Sequence, residues 1–105
     1  MTMNFKTTAI ACHVNALEKG FWDEPINRAE KIALMHSELS ECLEGIRKPG
    51  PDTHCPAFTQ EEVELADVII RVLDYCEHFE LRLVDAINAK MTYNASRPYR
   101  HGKRF

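Results

Sequence analysis

Glycine and proline are scarce in this chain, at 4 and 5 of 105 residues. That scarcity excludes collagen-like repeats and low-complexity linkers. No apolar run approaches the ~18 residues that a membrane-spanning helix needs. Residues 1–10 carry neither an apolar h-region nor a cleavage pattern, so no signal peptide is expected and the expected compartment is the cytoplasm. Cysteine is limited to Cys12, Cys42, Cys55 and Cys76, with no C-x-x-C pair. Without an export signal these thiols are expected to be reduced. A zinc site from Cys12/His13 and His54/Cys55 would use adjacent residues, which on a helix point about 100° apart and chelate one ion poorly. The cysteines therefore read as small buried apolar side chains.

What is present fits one soluble globular domain over residues 1–105, with 45% hydrophobic and 28% charged residues. Apolar content of that size excludes a disordered chain. The net charge of −3 conceals an uneven distribution. Residues 1–89 hold 8 Lys/Arg against 16 Asp/Glu, a balance of −8. Residues 90–105 hold Lys90, Arg97, Arg100, Lys103 and Arg104 with no acid, a balance of +5. An acidic body argues against stable nucleic-acid binding, which needs a broad positive face. It suits a ligand that brings a cation together with an anionic group. The plainer reading of the basic end is a solvated tail.

Periodicity predicts helices throughout. Ile10, Val14, Leu17 and Phe21 form one helical stripe from about Thr7 to Lys19, stopped by Gly20. A turn over residues 21–25 follows. Asn27 with Glu30 reads as a capping box opening a second helix to about Arg47, with Ile32, Met35, Leu39, Leu43 and Ile46 on its core stripe. Pro49-Gly50-Pro51 breaks the pattern, and residues 48–58 read as a loop. Thr59 is the expected N-cap of a third helix whose main stripe is Leu65, Ile69, Val72, Leu73 and Cys76. Val63 and Ile70 lie on another side, an apolar overhang that predicts a second subunit. Residues 59–96 contain no Gly or Pro, but so long a helix is unusual, and a break is expected near Glu77–Glu80. A fourth helix carries Leu83, Val84, Ile87 and Met91 and ends at Arg97-Pro98. The expected fold is an all-α four-helix bundle completed by homo-oligomerisation, as dimer or tetramer.

The chemistry-bearing residues are acids in pairs. Glu38 and Glu41 lie on helix two, Glu64 and Asp67 on helix three, each pair three residues apart and so on one helical face. A hairpin through the 48–58 loop would make the two helices antiparallel neighbours and turn the pairs toward each other. Four close carboxylates repel unless a cation sits among them. Oxygen donors of this kind suit Mg²⁺ or Mn²⁺. Taken singly, an E-x-x-E pair is more often a solvated helix face.

With 22 residues between them, Glu38-x-x-Glu41 and Glu64-x-x-Asp67 resemble the signature of the MazG-like all-α nucleoside triphosphate pyrophosphohydrolases, relatives of the dimeric dUTPases and dCTP pyrophosphatases. The surroundings resemble it too: Leu34 to Glu41, Glu64 to Ile70, Lys19-Gly20-Phe21-Trp22-Asp23, and a tail Lys90-Met91-x-Tyr93-Asn94-x-x-Arg97-Pro98-x-x-His101-Gly102-Lys103. The resemblance implies that Glu38, Glu41, Glu64 and Asp67 hold Mg²⁺ on a triphosphate, with Mn²⁺ as a substitute. It implies that Glu38 or Glu41 orients or deprotonates the attacking water. Attack at the α-phosphorus would release a nucleoside monophosphate and pyrophosphate, a reaction suited to cleaning or balancing the nucleotide pool. Lys90, Tyr93, Asn94 and Arg97 would meet the phosphates. His13 and Trp22 match the family's base-site positions, although a buried helix histidine and a core tryptophan are the plainer readings.

Two other classes remain. A di-iron carboxylate bundle usually draws on Glu-x-x-His pairs. No histidine here has Glu three positions before it. The other is a non-catalytic helical interaction module whose acids are merely solvated.

Overall fold

The computed structural model describes residues 3–23 and 25–104. Glu24, within the predicted turn, lies outside the described residues. The chain is all-α, with four helices and no strand among the described residues. They are α1 (Phe5–Glu18), α2 (Arg28–Arg47), α3 (Gln60–His78) and α4 (Leu83–Ala95), followed by a 3₁₀ turn over Tyr99–Gly102. Among the described residues, no helix is long and apolar enough to cross a membrane.

The boundaries have local causes. The Asn4 side chain accepts from Thr7 N–H at 3.1 Å and opens α1. Gly20, at φ +82°, closes the turn that follows, where few side chains are tolerated. Asn27 accepts from Glu30 N–H at 3.1 Å to start α2. Thr59 and Glu62 cap α3 reciprocally: Thr59 Oγ1 accepts from Glu62 N–H at 3.1 Å, and Glu62 Oε1 accepts from Thr59 N–H at 2.9 Å. The predicted break before α4 lies at Phe79–Arg82, where Glu80 takes φ +55°.

The core differs from the predicted stripes. α3 is the central element, packed by α1 on one side and α2 on the other. The buried apolar residues are Ala9, Ala16, Trp22, Cys42 and Leu73, with Leu73 only 3% exposed. The expected stripe residues Ile10, Val14, Leu17 and Phe21 of α1 and its turn are exposed. So are Ile32, Leu39, Leu43 and Ile46 of α2, and Leu65 and Ile69 of α3. In α1 and α2 the buried residues are small (Ala9, Ala16, Cys42, Gly45) and the large apolar ones face outward, whereas in α3 Leu73 of the predicted stripe is buried. Cys55 is also exposed, against the expectation of buried thiols, while Cys12 and Cys76 are partly covered. α4 buries no residue.

The shape is correspondingly open. The radius of gyration is 16.1 Å, against about 13 Å for a compact domain of this length. The accessible surface is 8414 Å², against roughly 6,000 Å² for a compact monomer of this mass.

Candidate metal and substrate site

The loop between α2 and α3 sets how the acid pairs meet. Asp52 is buried, and its Oδ2 accepts from the backbone N–H groups of His54 and Cys55, both at 2.8 Å. Its own N–H donates to Phe58 O at 2.9 Å, and Gln60 N–H donates to Gly50 O at 3.1 Å. These bonds close the hairpin and start α3 beside the end of α2. Gly45 permits a close approach of α2 to the start of α3. A Cβ placed there would stand 3.2 Å from Glu61 N and 3.2 Å from Gln60 Cγ. One turn before Gly45 is Glu41; one turn after Gln60 is Glu64.

The result is a carboxylate cluster. Ligand oxygens of Glu38, Glu41 and Glu64 all lie within 4.8 Å of one another. Glu64 is 8% exposed, and its Oε2 is buried without a hydrogen-bond partner. Burial first, then the neighbouring Glu38 carboxyl and the charges of Glu41, Glu38 and Asp67, push the Glu64 pKa up to about 7. Asp67 stands outside the three-residue group but close to it. Its pKa is raised by burial and by the charge of Glu38, with the Arg71 guanidinium acting in the opposite direction.

Arg71, one turn beyond Asp67, supplies the counter-charge. Its Nε donates to Glu38 Oε1 at 3.0 Å and its second guanidinium nitrogen lies 3.0 Å from the same oxygen. Glu38, Asp67 and Arg71 line a cavity of about 280 Å³ that runs between α1, α2 and α3 to Trp22, Lys31 and Asp74.

The far end of that cavity is a connected polar and aromatic cluster. Trp22 Nε1 donates to Asp74 Oδ1 at 2.9 Å, and His13 Nδ1 lies 2.8 Å from the same oxygen. The indole stacks on His78, with ring centroids 3.7 Å apart and planes within 5°. Lys31 Nζ lies 4.4 Å from the indole centroid and also donates to Phe21 O. Burial holds the His78 pKa below its usual 6.5, with the His13 charge adding to the effect.

Of the residues singled out in the sequence, Glu38, Glu41 and Glu64 come together, with Asp67 beside them. Trp22 reaches the same cavity, but His78 covers one of its faces. His13 is not part of the cavity wall and acts behind Asp74. The basic group on α4 and just beyond it is not in the cavity wall. Lys90 Nζ and the Arg97 guanidinium lie 4.8 and 5.3 Å from the Tyr93 ring centroid, and none of Lys90, Tyr93, Asn94 or Arg97 lines the cavity. Asn94 Oδ1 is buried without a partner. Arg71 and Asp74 follow Asp67 at helical spacing on α3, and nothing in their local sequence singled them out. Lys31, Asp52 and His78 carried no signal, because their roles come from contacts across the fold.

Comparison with protein-family models, with curated proteins and with solved structures returns no match.

Proposed function

We propose that the chain is a divalent-metal-dependent nucleoside triphosphate pyrophosphohydrolase. Its product pair would be a nucleoside monophosphate and pyrophosphate. The observation that carries the reading is the Glu64 carboxylate: more than nine-tenths buried, one oxygen unpartnered, and aimed into the group made with Glu38 and Glu41. A buried oxygen left without a donor costs about 1–3 kcal/mol. A divalent cation relieves that cost and the mutual repulsion at once. An all-oxygen donor set suits Mg²⁺ or Mn²⁺ over softer metals.

In this reading Glu38, Glu41 and Glu64 hold the ion, with Asp67 completing the set. When bound, the ion supplies Lewis-acid polarisation of the phosphoryl oxygens. Glu41, the most exposed of the three, orients the attacking water and accepts its proton. The adjoining cavity accepts the nucleoside, with Trp22 and Asp74 at its far end. Its volume of about 280 Å³ suits one nucleoside rather than a polymer.

The site is completed by a second copy. One chain leaves an apolar surface on α1, α2 and α3 uncovered, and the total accessible surface of the chain, polar and apolar together, exceeds that of a compact monomer by on the order of 2,400 Å². A stable dimer needs about 800 Å² per partner. Lys90 and Arg97, which do not line the cavity of their own chain, then serve the triphosphate held by a neighbouring copy.

The test is a screen of canonical and modified nucleoside triphosphates with Mg²⁺, read by ³¹P NMR. Monophosphate and pyrophosphate are the expected products. Glu41→Gln and Asp67→Asn should abolish their release while leaving helical circular dichroism intact. Orthophosphate with a diphosphate, or wild-type turnover in both variants, contradicts the reading.

A further inference from the structure

We infer that Arg71 is an exchangeable counter-ion: it pairs with Glu38 while the acids hold no metal, and pairs with a substrate phosphate once a divalent ion has taken up the carboxylates. The inference rests on the pyrophosphohydrolase reading and adds to it a substrate ligand that the sequence did not single out.

Three observations carry it. The guanidinium spends two nitrogens on one oxygen, Glu38 Oε1, both at 3.0 Å. That is an end-on contact, not the two-oxygen fork in which arginine and carboxylate fit best. It therefore leaves donors unspent. Second, Glu38 belongs to both arrangements, as partner of Arg71 and as member of the group with Glu41 and Glu64. A divalent ion there faces a neighbouring positive charge across a single carboxylate, and the two cations compete for it. Third, Arg71 forms part of the cavity wall together with Glu38 and Asp67, so its guanidinium stands beside a phosphate chain held at those two acids. Its side chain remains 31% exposed, so it can turn without opening the core.

Calorimetric titration of the intact protein tests this in two steps. The first probe is Mg²⁺ alone, added to wild type, Arg71→Gln and Arg71→Lys. The second is inorganic tripolyphosphate at saturating Mg²⁺, a phosphate chain without a base. Arg71→Gln should bind Mg²⁺ at least threefold more tightly than wild type and tripolyphosphate at least tenfold more weakly. Arg71→Lys should retain most of the tripolyphosphate affinity. Unchanged or weaker Mg²⁺ binding by Arg71→Gln overturns the competition, and unchanged tripolyphosphate binding overturns the phosphate contact. Failure of wild type itself to bind Mg²⁺ contradicts the metal reading instead, so the two failures are separable.

Discussion

Trp22 and Asp74, 52 residues apart in sequence, are joined by an indole N–H bond to Oδ1 at 2.9 Å, with Oδ2 at 3.1 Å. The bond ties the turn after α1 to the last third of α3. It also holds Trp22 and Asp74 in the wall of the cavity that Glu38 and Asp67 line as well. Asp74→Ala leaves a buried indole donor unpaired and should cost about 1–3 kcal/mol. Trp22 is the one tryptophan in the chain, so urea unfolding followed by its emission reads this directly. A midpoint identical to wild type would show that the bond does not hold the turn.

Gly45 sets the separation of α2 and α3. A side chain there meets the backbone nitrogen of Glu61, which cannot swing away as a side chain would. Gly45→Val should force the helices apart, with an overpacking cost of about 1–3 kcal/mol. It should weaken Mg²⁺ binding, because Glu41 and Glu64 flank the contact by one turn each. Thermal melts and metal titration check the two effects separately. Unaltered metal affinity would mean that the hairpin does not control the acid geometry.

The raised pKa of Glu64 makes stability depend on pH. A carboxyl that holds its proton more tightly folded than unfolded contributes stability on the acid side and loses it as pH rises through its folded value. For Glu64 that loss falls between the ordinary 4.5 and about 7. The metal-free protein should therefore lose thermal stability over this window relative to Glu64→Gln. Added Mg²⁺ should stabilise wild type increasingly as pH approaches and passes 7, since the ion needs the ionised carboxylate. Parallel profiles for the two proteins would remove Glu64 from this role.

Much of this was legible in the sequence, and the exceptions have a common cause. Capping chemistry at Asn27 and Thr59 located two helix starts, and the long run between Thr59 and Ser96 called for a break near Glu77–Glu80, which the structure has at Phe79–Arg82. The spacing of Glu38, Glu41 and Glu64 about the 48–58 loop pointed to their meeting if the loop made a hairpin, which it does. Leu73 and Cys42 were read as core and are buried, but Leu39, Leu43 and Ile69 were misassigned because they are as apolar as a core demands, and periodicity cannot tell which apolar face the same chain covers. Arg71, Asp74 and Lys31 gain their roles from the third dimension. Nothing in their local sequence separates them from solvated helix charges.

The uncovered face leads to a test of assembly. Leu39→Glu and Ile69→Glu place charge on exposed apolar positions, at 47% and 49% exposure, and should leave helix content unchanged. Sedimentation should show an oligomer for wild type and a smaller species for both variants. If the α4 cations act in a neighbouring copy's site, mixing inactive Glu41→Gln with inactive Arg97→Ala should restore a fraction of wild-type activity. No recovery after subunit exchange would assign Arg97 to its own chain's site or to none.

The most direct measurement is uptake of Mn²⁺, as a spectroscopic stand-in for Mg²⁺, followed by electron paramagnetic resonance in wild type, Glu41→Gln and Glu64→Gln. Wild type is predicted to bind the ion stoichiometrically at sub-millimolar concentration, and both variants to remain helical while losing at least tenfold in affinity. Equal binding by all three proteins, or none by wild type, would contradict the proposal that Glu38, Glu41 and Glu64 form a metal site.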